Sequence, residues 1–517
     1  MKRSAKEFAA DDEVPDGTAT KRQSIEKQRD FFKKHFLPAL KNFMSYAIWR
    51  GQKEISFIDE DRLQLTGSSD ALDDELYQVI GRYMDLCFVS KKDFTPLICL
   101  HSLNHVMRTR QLIIQNKMAL EARKNSVNDE MIEKCRDQGL ARPKVLILCP
   151  YRKHAHHYVK TLVKLVFADS DKSFVSNLSK FEDEFGDDGN RVHEKRNVSL
   201  DYKVLMSGNV DDCFRIGIGL AKKCLKLYTS FEESDILLCS PLGLRMIIGD
   251  ETEAKREFDF LASIEVLVID KAHLLLMQNW EHLSDISRVR QWALNDYSKY
   301  YRQTLIFSEV NSVEIQALFS RFCRNYAGMI SLVKSRQSII EQIELPIVQG
   351  FYRFQLESPE KQSDNRFNFF VKELLQRCEQ QTLIFVSSYY DFVRLRNHLK
   401  KENESFTQIH EYAEKGKVAK ARNLFFLAQK KLLLMTERYY FYFRAHIKGV
   451  KSVLFYQLPV NPQFYVEIIN GARPDQKLNS KVLFCEFDFI RMQNIFGNAT
   501  ARDLIKSAKP FRALIGE

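Results

Sequence analysis

The sequence predicts an α/β protein of two tandem lobes, each built on a parallel β-sheet and preceded by a helical N-terminal extension. Three observations carry this prediction. Short apolar runs occur in two series: KVLILCP (144–150), DILLCSP (235–241), EVLVID (265–270) and QTLIFS (303–308), then QTLIFVS (381–387), KLLLMT (431–436), SVLFYQLP (452–459) and KVLFCEF (481–487). Each run is apolar without alternation, as strands buried on both faces of a parallel sheet are. Helix-length segments separate the runs, and 517 residues exceed what one hydrophobic core usually serves.

Taken in order, residues 1–24 are polar, turn at Pro15-Asp16-Gly17 and read as a flexible tail. Residues 25–92 read as a helical extension. Phe31, Phe32, Phe36, Leu37, Leu40, Phe43 and Met44 recur near helical spacing, and so do Leu72, Leu76, Val79, Ile80, Tyr83 and Met84. The first lobe is expected over 93–338, beginning with another helical stretch from Leu97 to Cys135, and the second over 339–517. The charged, Gly-punctuated segment 179–197, SKFEDEFGDDGNRVHEKRN, reads as a surface loop inserted in the first lobe.

Composition narrows the class of partner. Lys and Arg number 78 against 67 acids, a formal charge of +11 that attracts polyanions, nucleic acid first among them. Ten cysteines are scattered without a CxxC pair, so neither a zinc site nor a disulfide framework is expected, and a reducing compartment fits. The opening residues carry charge where a secretory leader needs an apolar stretch, and no apolar run is long enough to span a membrane. An intracellular protein without membrane contact is the expectation. Lys2-Arg3 and Lys21-Arg22 form at most a weak split nuclear import signal.

The strand ends carry the chemistry, because open α/β sheets bind ligands at the carboxyl ends of their strands. Pro150-Tyr151-Arg152 resembles the Pro-Thr-Arg with which DEAD-box RNA helicases touch RNA phosphate, and Lys153 follows it. Ser240-Pro241-Leu242-Gly243-Leu244-Arg245 resembles the (Thr/Ser)-Pro-Gly-Arg element that cradles the RNA backbone. Guanidinium forms bidentate bonds to phosphate oxygens, so Arg152 and Arg245 are candidate phosphate ligands, with a surface salt bridge as the plain alternative. In the second lobe Thr436 and Arg438 end a strand where helicases place a phosphate-contacting Thr. Lys448 and Arg473 complete the basic set, Arg473 being the one arginine left of an HRxGRxxR pattern. The aromatic run Tyr439–Phe443 suits either core packing, the favoured reading, or base stacking. His154, His156 and His157 lack acidic or thiol partners nearby in sequence, so no metal site is expected.

What is missing points away from catalysis. Asp270-Lys271-Ala272-His273 stands where an active helicase has Asp-Glu-Ala-Asp or Asp-Glu-Ala-His, and a protonated lysine cannot orient the attacking water as that Glu does. Phe307-Ser308-Glu309-Val310 keeps only the serine of Ser-Ala-Thr. No GxxxxGK(S/T) phosphate loop occurs anywhere, and the segment from Leu103-Asn104-His105-Val106 toward the KVLILCP strand offers no glycine-rich turn. No cofactor and no small-molecule substrate are expected.

Several long strings are idiosyncratic: SGNVDDCFRIGIGL (207–220), SPLGLRMII (240–248), LLMQNWEHL (275–283), SSYYDFVRLRNHLKKE (387–402), ARNLFF (421–426), LLMTERYYFYFRAHIKGVKSVLFYQLP (433–459) and FYVEIIN (464–470). Over about residues 90–495 they closely resemble the digestive organ expansion factor family, also called U-three small nucleolar RNA-associated protein twenty-five. The resemblance implies two RecA-like, superfamily 2 helicase-like lobes without a demonstrated need for ATP. It also implies a nucleolar component of the small-subunit processome, acting in pre-ribosomal RNA processing and small-subunit rRNA maturation. Expected partners are pre-ribosomal RNA, small nucleolar RNA and processome proteins. Two rivals remain: a noncanonical ATP-dependent RNA helicase, and a docking platform that binds only protein.

Overall fold

The computed structural model describes residues 71–122, 141–167, 174–187, 199–221, 224–249, 259–278, 302–325, 327–333, 338–356, 358–472, 478–507 and 509–515. The tail and most of the expected N-terminal extension therefore lie outside the described residues.

The first lobe opens with α1 (Ala71–Gly81), β1 (Asp85–Val89) and α2 (Thr95–Ala122), followed by β2 (Val145–Leu148) and α3 (Arg152–Phe167). Next come β3 (Val175–Ser176), α4 (Leu178–Phe185), α5 (Leu200–Met206), β4 (Arg215–Ala221), β5 (Cys224–Leu227), β6 (Ile236–Cys239) and α6 (Pro241–Ile248). The lobe ends with β7 (Val266–Ile269), α7 (Ala272–Leu275), β8 (Gln303–Ser308), α8 (Val313–Phe322) and β9 (Met329–Val333). Its nine strands run in the order β3-β5-β4-β6-β2-β7-β8-β1-β9. β2 pairs in parallel with both β6 and β7, and all three are buried along their whole length, as their unbroken apolar composition requires.

Two segments depart from expectation. β1 lies within the stretch expected to be helical and pairs in parallel with β8 and β9, so the sheet reaches back to Asp85. The helical period up to Met84 is real, but Tyr83 takes a left-handed backbone (φ 59°) that reverses the chain into a strand after a single turn. A bulky residue in that conformation leaves no mark in sequence. The segment expected as a loop from 179 begins instead as helix α4. Phe181 and Phe185, one helical turn apart, are buried and stack at 4.7 Å, while Asp183 between them is exposed and Glu182 and Glu184 bond to His156 and Tyr228. Residues 188–197 of that segment lie outside the described residues.

The second lobe comprises β10 (Ile347–Arg353), α9 (Gln362–Phe369), β11 (Thr382–Val386), α10 (Tyr389–Lys401), β12 (Phe406–Ile409) and α11 (Lys415–Phe426). It continues through β13 (Leu432–Thr436), α12 (Glu437–Phe443), β14 (Ser452–Phe455), α13 (Gln463–Asn470), β15 (Leu478–Phe484), α14 (Phe489–Lys506) and β16 (Phe511–Ile515). Its strand order is β12-β13-β11-β14-β15-β10-β16, parallel except for the edge strand β16. All eight predicted strands are present. A buried Arg366, donating from Nη2 to both Asp488 carboxylate oxygens at 2.9 and 2.8 Å, ties α9 to the start of α14.

The lobes meet through packed side chains. Tyr151, Leu274 and Met277 of the first lobe share one buried cluster with the second lobe's core, and Leu205 and Val210 pack against it. Tyr202 of α5 donates to the Tyr442 carbonyl at 2.7 Å, and the Tyr442 hydroxyl donates to Gln278 Oε1 at 3.1 Å. Farther along the interface Asn494 donates to the Asn311 carbonyl at 2.7 Å, and Arg491 lies 3.4 Å from Glu314.

Candidate nucleotide cleft and nucleic-acid interface

A phosphate loop is a strand–turn–helix unit whose backbone N–H groups face the ligand. In this lobe the unit that faces the Asp270 box is β1, the turn Ser90–Phe94 and α2, not the 103–106 segment, which lies in the interior of α2. The turn has five residues and no glycine. Its Asp93 carboxylate accepts from the Thr95 N–H at 3.1 Å, the Thr95 hydroxyl at 2.7 Å and His157 Nε2 at 2.8 Å. Burial works against charge on Asp93, yet the His157 and Thr95 bonds hold its pKa well below the carboxylate range. An anion thus stands at the mouth of the turn, where a triphosphate would need donors.

The box itself is intramolecular. Asp270 is buried at the end of β7, and burial raises its pKa while Lys271 draws it back. Lys271 has a left-handed backbone (φ 52°), and its N–H bonds to Asp270 Oδ1 at 2.8 Å. Burial opposes charge on the Lys271 ammonium, but Asp270, Asp93 and Glu309 around it raise its pKa nonetheless. Ala272 is fully buried, and His273 Nδ1 accepts the Glu309 N–H at 3.1 Å, joining the ends of β7 and β8. The lysine therefore supplies internally the positive charge that the two aspartates face. None of the box residues lines the cavity of about 500 Å³ beside α12 and α13, which the second lobe lines together with Ser199 of the first.

Four of the eight expected RNA ligands make bonds inside the fold. Arg152 donates to the Glu184 carbonyl at 3.0 Å and the Cys213 carbonyl at 3.2 Å, pairs with Asp211 at 3.1 Å and lies over the Phe185 ring. Lys153 caps the end of α5 through the carbonyls of Val204, Leu205 and Ser207, and burial next to Lys271 lowers its pKa to about 8. Ser240 is the N-cap of α6, accepting the Gly243 N–H at 2.9 Å. Gly243 itself is required by close approach: a Cβ there would stand 2.0 Å from the Phe214 carbonyl. Thr436 caps α12 and gives its hydroxyl to Glu411 at 2.7 Å. Arg152, Lys153, Ser240 and Thr436 are thus each engaged in bonds within the fold.

Arg245 and Arg438 are half-buried and Lys448 is exposed, while Arg473 lies outside the described residues. The aromatic run divides: Tyr439, Tyr440 and Phe441 belong to the core, and Phe443 is exposed. The three histidines of α3 diverge, His154 into the interior, His156 to Glu182 at 2.8 Å and His157 to Asp93. Sequence reading passed over Asp93 and the α5 strap. The signal available was DLCFV followed by SKKDF and a long helix, the strand–turn–helix order with its glycines gone.

Residues 82–330 match the family model described as "UTP25, NTP hydrolase-like domain", and residues 339–513 match "Utp25, C-terminal domain". The human "U3 small nucleolar RNA-associated protein 25 homolog" is 39% identical over 473 residues, 85% of this chain and 62% of that protein. The Schizosaccharomyces pombe protein of that name is 34% identical, over 84% of this chain and 69% of its own length. "Protein NUCLEOLAR FACTOR 1" of Arabidopsis thaliana is 34% identical over 84% of this chain. The chain thus spans about 62% of the length of the human relative. The crystal structure of the yeast DEAD-box splicing factor Prp28 aligns over 89% of this chain at 15% identity, with a TM-score of only 0.32, which adds nothing to the topology above. With two consecutive family models covering nearly all of both lobes and full-length relatives at this identity, the chain belongs to the Utp25 family.

Proposed function

We propose that this chain is a non-catalytic, helicase-like scaffold of the small-subunit processome, acting in the nucleolus in early pre-ribosomal RNA processing. Its ligands are pre-ribosomal RNA, small nucleolar RNA and processome proteins. The observation that carries the non-catalytic reading is the turn Ser90–Phe94 opposite the box. It presents the Asp93 carboxylate instead of a row of N–H donors, and Lys271 stands beside Asp270 in place of a water-orienting Glu. These residues do not fit a magnesium triphosphate, because one charge of the wrong sign occupies each half of its site. The processome assignment is supported by the relatives' names, and the RNA reading by the charge of +11.

The test is titration of the full chain with labelled ATP and magnesium, with and without RNA. No binding in the micromolar range and no RNA-stimulated hydrolysis is the expected result, and either one appearing would restore the helicase alternative. One observation favours a second reading, a platform that docks only protein: four of the expected phosphate ligands are consumed by internal bonds. Crosslinking in cells separates the two, since a protein-only platform recovers no pre-ribosomal RNA.

A further inference from the structure

The carboxyl ends of β11, β12 and β13 carry a group of aromatic side chains that no internal bond explains. Tyr389 and Tyr390 open α10 directly after β11, and His410 and Tyr412 follow β12. Tyr389 meets the Tyr412 ring edge-on at 5.2 Å and lies 6.2 Å from His410, so the group bridges the end of the intervening strand β13. Phe392, fully buried, backs both Tyr389 (5.8 Å) and His410 (5.3 Å) and fixes them to the core. The outer members are open: Tyr390 is 83% exposed and Tyr412 65%. Tyr412 is anchored on Tyr389 and bare beyond it, and Tyr390, next to Tyr389 at the start of α10, is open to solvent.

The surroundings say what would cover them. On this edge Lys415 and Lys417 open α11 shortly after Tyr412. Both lysines are exposed, whereas Lys400 and Lys401 end α10 at the opposite edge of the sheet. Arg438 adds its charge beside Tyr412 and Glu411 on the same edge. Bare aromatic rings set in positive charge are the two requirements for holding an unpaired polynucleotide: phosphates are drawn to the cations, and each base offers a π-face to stack. A duplex hides those faces, and an apolar protein helix would gain nothing from the charge.

We propose that Tyr390 and Tyr412, braced by Tyr389, form a stacking platform for unpaired RNA bases at this edge of the second lobe. The proposal rests on the RNA-scaffold reading above and replaces the internally consumed Arg152, Lys153 and Thr436 as the place where that RNA is held. It differs from a phosphate-only groove in requiring bases.

The test uses the full chain and three labelled probes of about a dozen nucleotides: an unstructured single strand, a duplex, and an abasic sugar–phosphate strand. Wild type should bind the single strand tighter than the other two. Tyr390→Ala combined with Tyr412→Ala should weaken the single strand roughly tenfold or more while leaving the abasic strand and the salt slope unchanged. Both side chains are exposed, so folding is untouched, and Tyr390→Trp with Tyr412→Trp should restore binding. If wild type holds the abasic strand as tightly as the natural one, or the alanine pair binds the single strand normally, the platform is wrong while RNA binding itself stands. If wild type binds none of the three, the platform and the RNA-scaffold reading both fail.

Discussion

Truncating Tyr202 is the sharpest probe of how the lobes are held. This residue leaves the first lobe on the short helix α5, is 8% exposed, and makes two identifiable contacts with α12 and its C-cap: the 2.7 Å hydrogen bond to the Tyr442 carbonyl, and the Arg444 guanidinium 5.4 Å from its ring centre. Tyr202→Phe removes only the hydroxyl, worth about 1 kcal/mol net. Tyr202→Ala also removes the cation–π contact, about 1 kcal/mol, and part of the packing that makes buried aromatic truncations cost ~3–5 kcal/mol. A loss of roughly 3 kcal/mol in the local opening free energy follows, equivalent to more than a hundredfold at 1.4 kcal/mol per decade. Hydrogen exchange of the 200–206 and 437–443 segments reads this directly, because in the fast-closing limit exchange tracks the opening equilibrium. The phenylalanine variant should speed exchange about fivefold and the alanine variant more than about a hundredfold, in both segments together. Unchanged exchange in 437–443 with faster exchange only in 200–206 would mean that α5 is not a strap between lobes, and the reasoning would fall.

Other outcomes are equally definite. Arg152→Ala should lower the denaturant midpoint by an amount corresponding to roughly 2 kcal/mol, since it orphans the Glu184 and Cys213 carbonyls; a neutral result would return Arg152 to the list of surface phosphate ligands. Arg366→Ala leaves the Asp488 carboxylate buried without its charge partner and should cost about 3–5 kcal/mol in the second lobe's unfolding, whereas removing both partners with apolar residues should recover much of it. Acidification should destabilise the first lobe in two windows. Burial lowers the His101 pKa from 6.5 to about 3, so the unfolded chain takes up a proton that the folded one refuses, and stability drops as pH falls through that interval. Glu265 is held at about 2 against its burial by Lys144 and His105, so its contribution, complete above 4.5, is lost between 4.5 and 2. His101→Gln should shrink the upper window of a melting-temperature profile, to which His154, also held below its ordinary value by burial, contributes as well, and leave the lower one. Lys271→Glu should yield no ATPase activity, because the Ser90–Phe94 turn still lacks a phosphate cradle.

The eight central strands were legible because burial on both faces leaves an unbroken apolar run, the strongest pattern a parallel sheet writes into sequence. Edge strands write less. β9 is exposed along most of its length and β12 is half-buried, so neither shows such a run. β1 was hidden by a helix ending one turn before it and by Tyr83's unusual backbone, and with it went the position of the Ser90–Phe94 turn opposite the box. The candidate site was legible in its losses, Lys271 above all, since a missing residue type needs no geometry to be noticed. The surroundings of its basic residues were not legible. Arg152 and Thr436 sit at strand ends where phosphate contacts belong, yet whether a guanidinium faces solvent or the Glu184 carbonyl depends on α4, whose helical character rests on two phenylalanines in a charged string. Tyr390 and Tyr412 carry no motif, and only their exposure beside a fixed Tyr389 distinguishes them from core aromatics.

The central claim is that Asp93 and Lys271 have replaced the nucleotide with charges of the chain's own. Calorimetric titration of the full chain with ATP and magnesium, repeated with saturating single-stranded RNA, tests it most directly. No heat of binding is predicted in either series at concentrations where an active helicase saturates. Saturable binding in the micromolar range, abolished by Lys271→Ala, would contradict it.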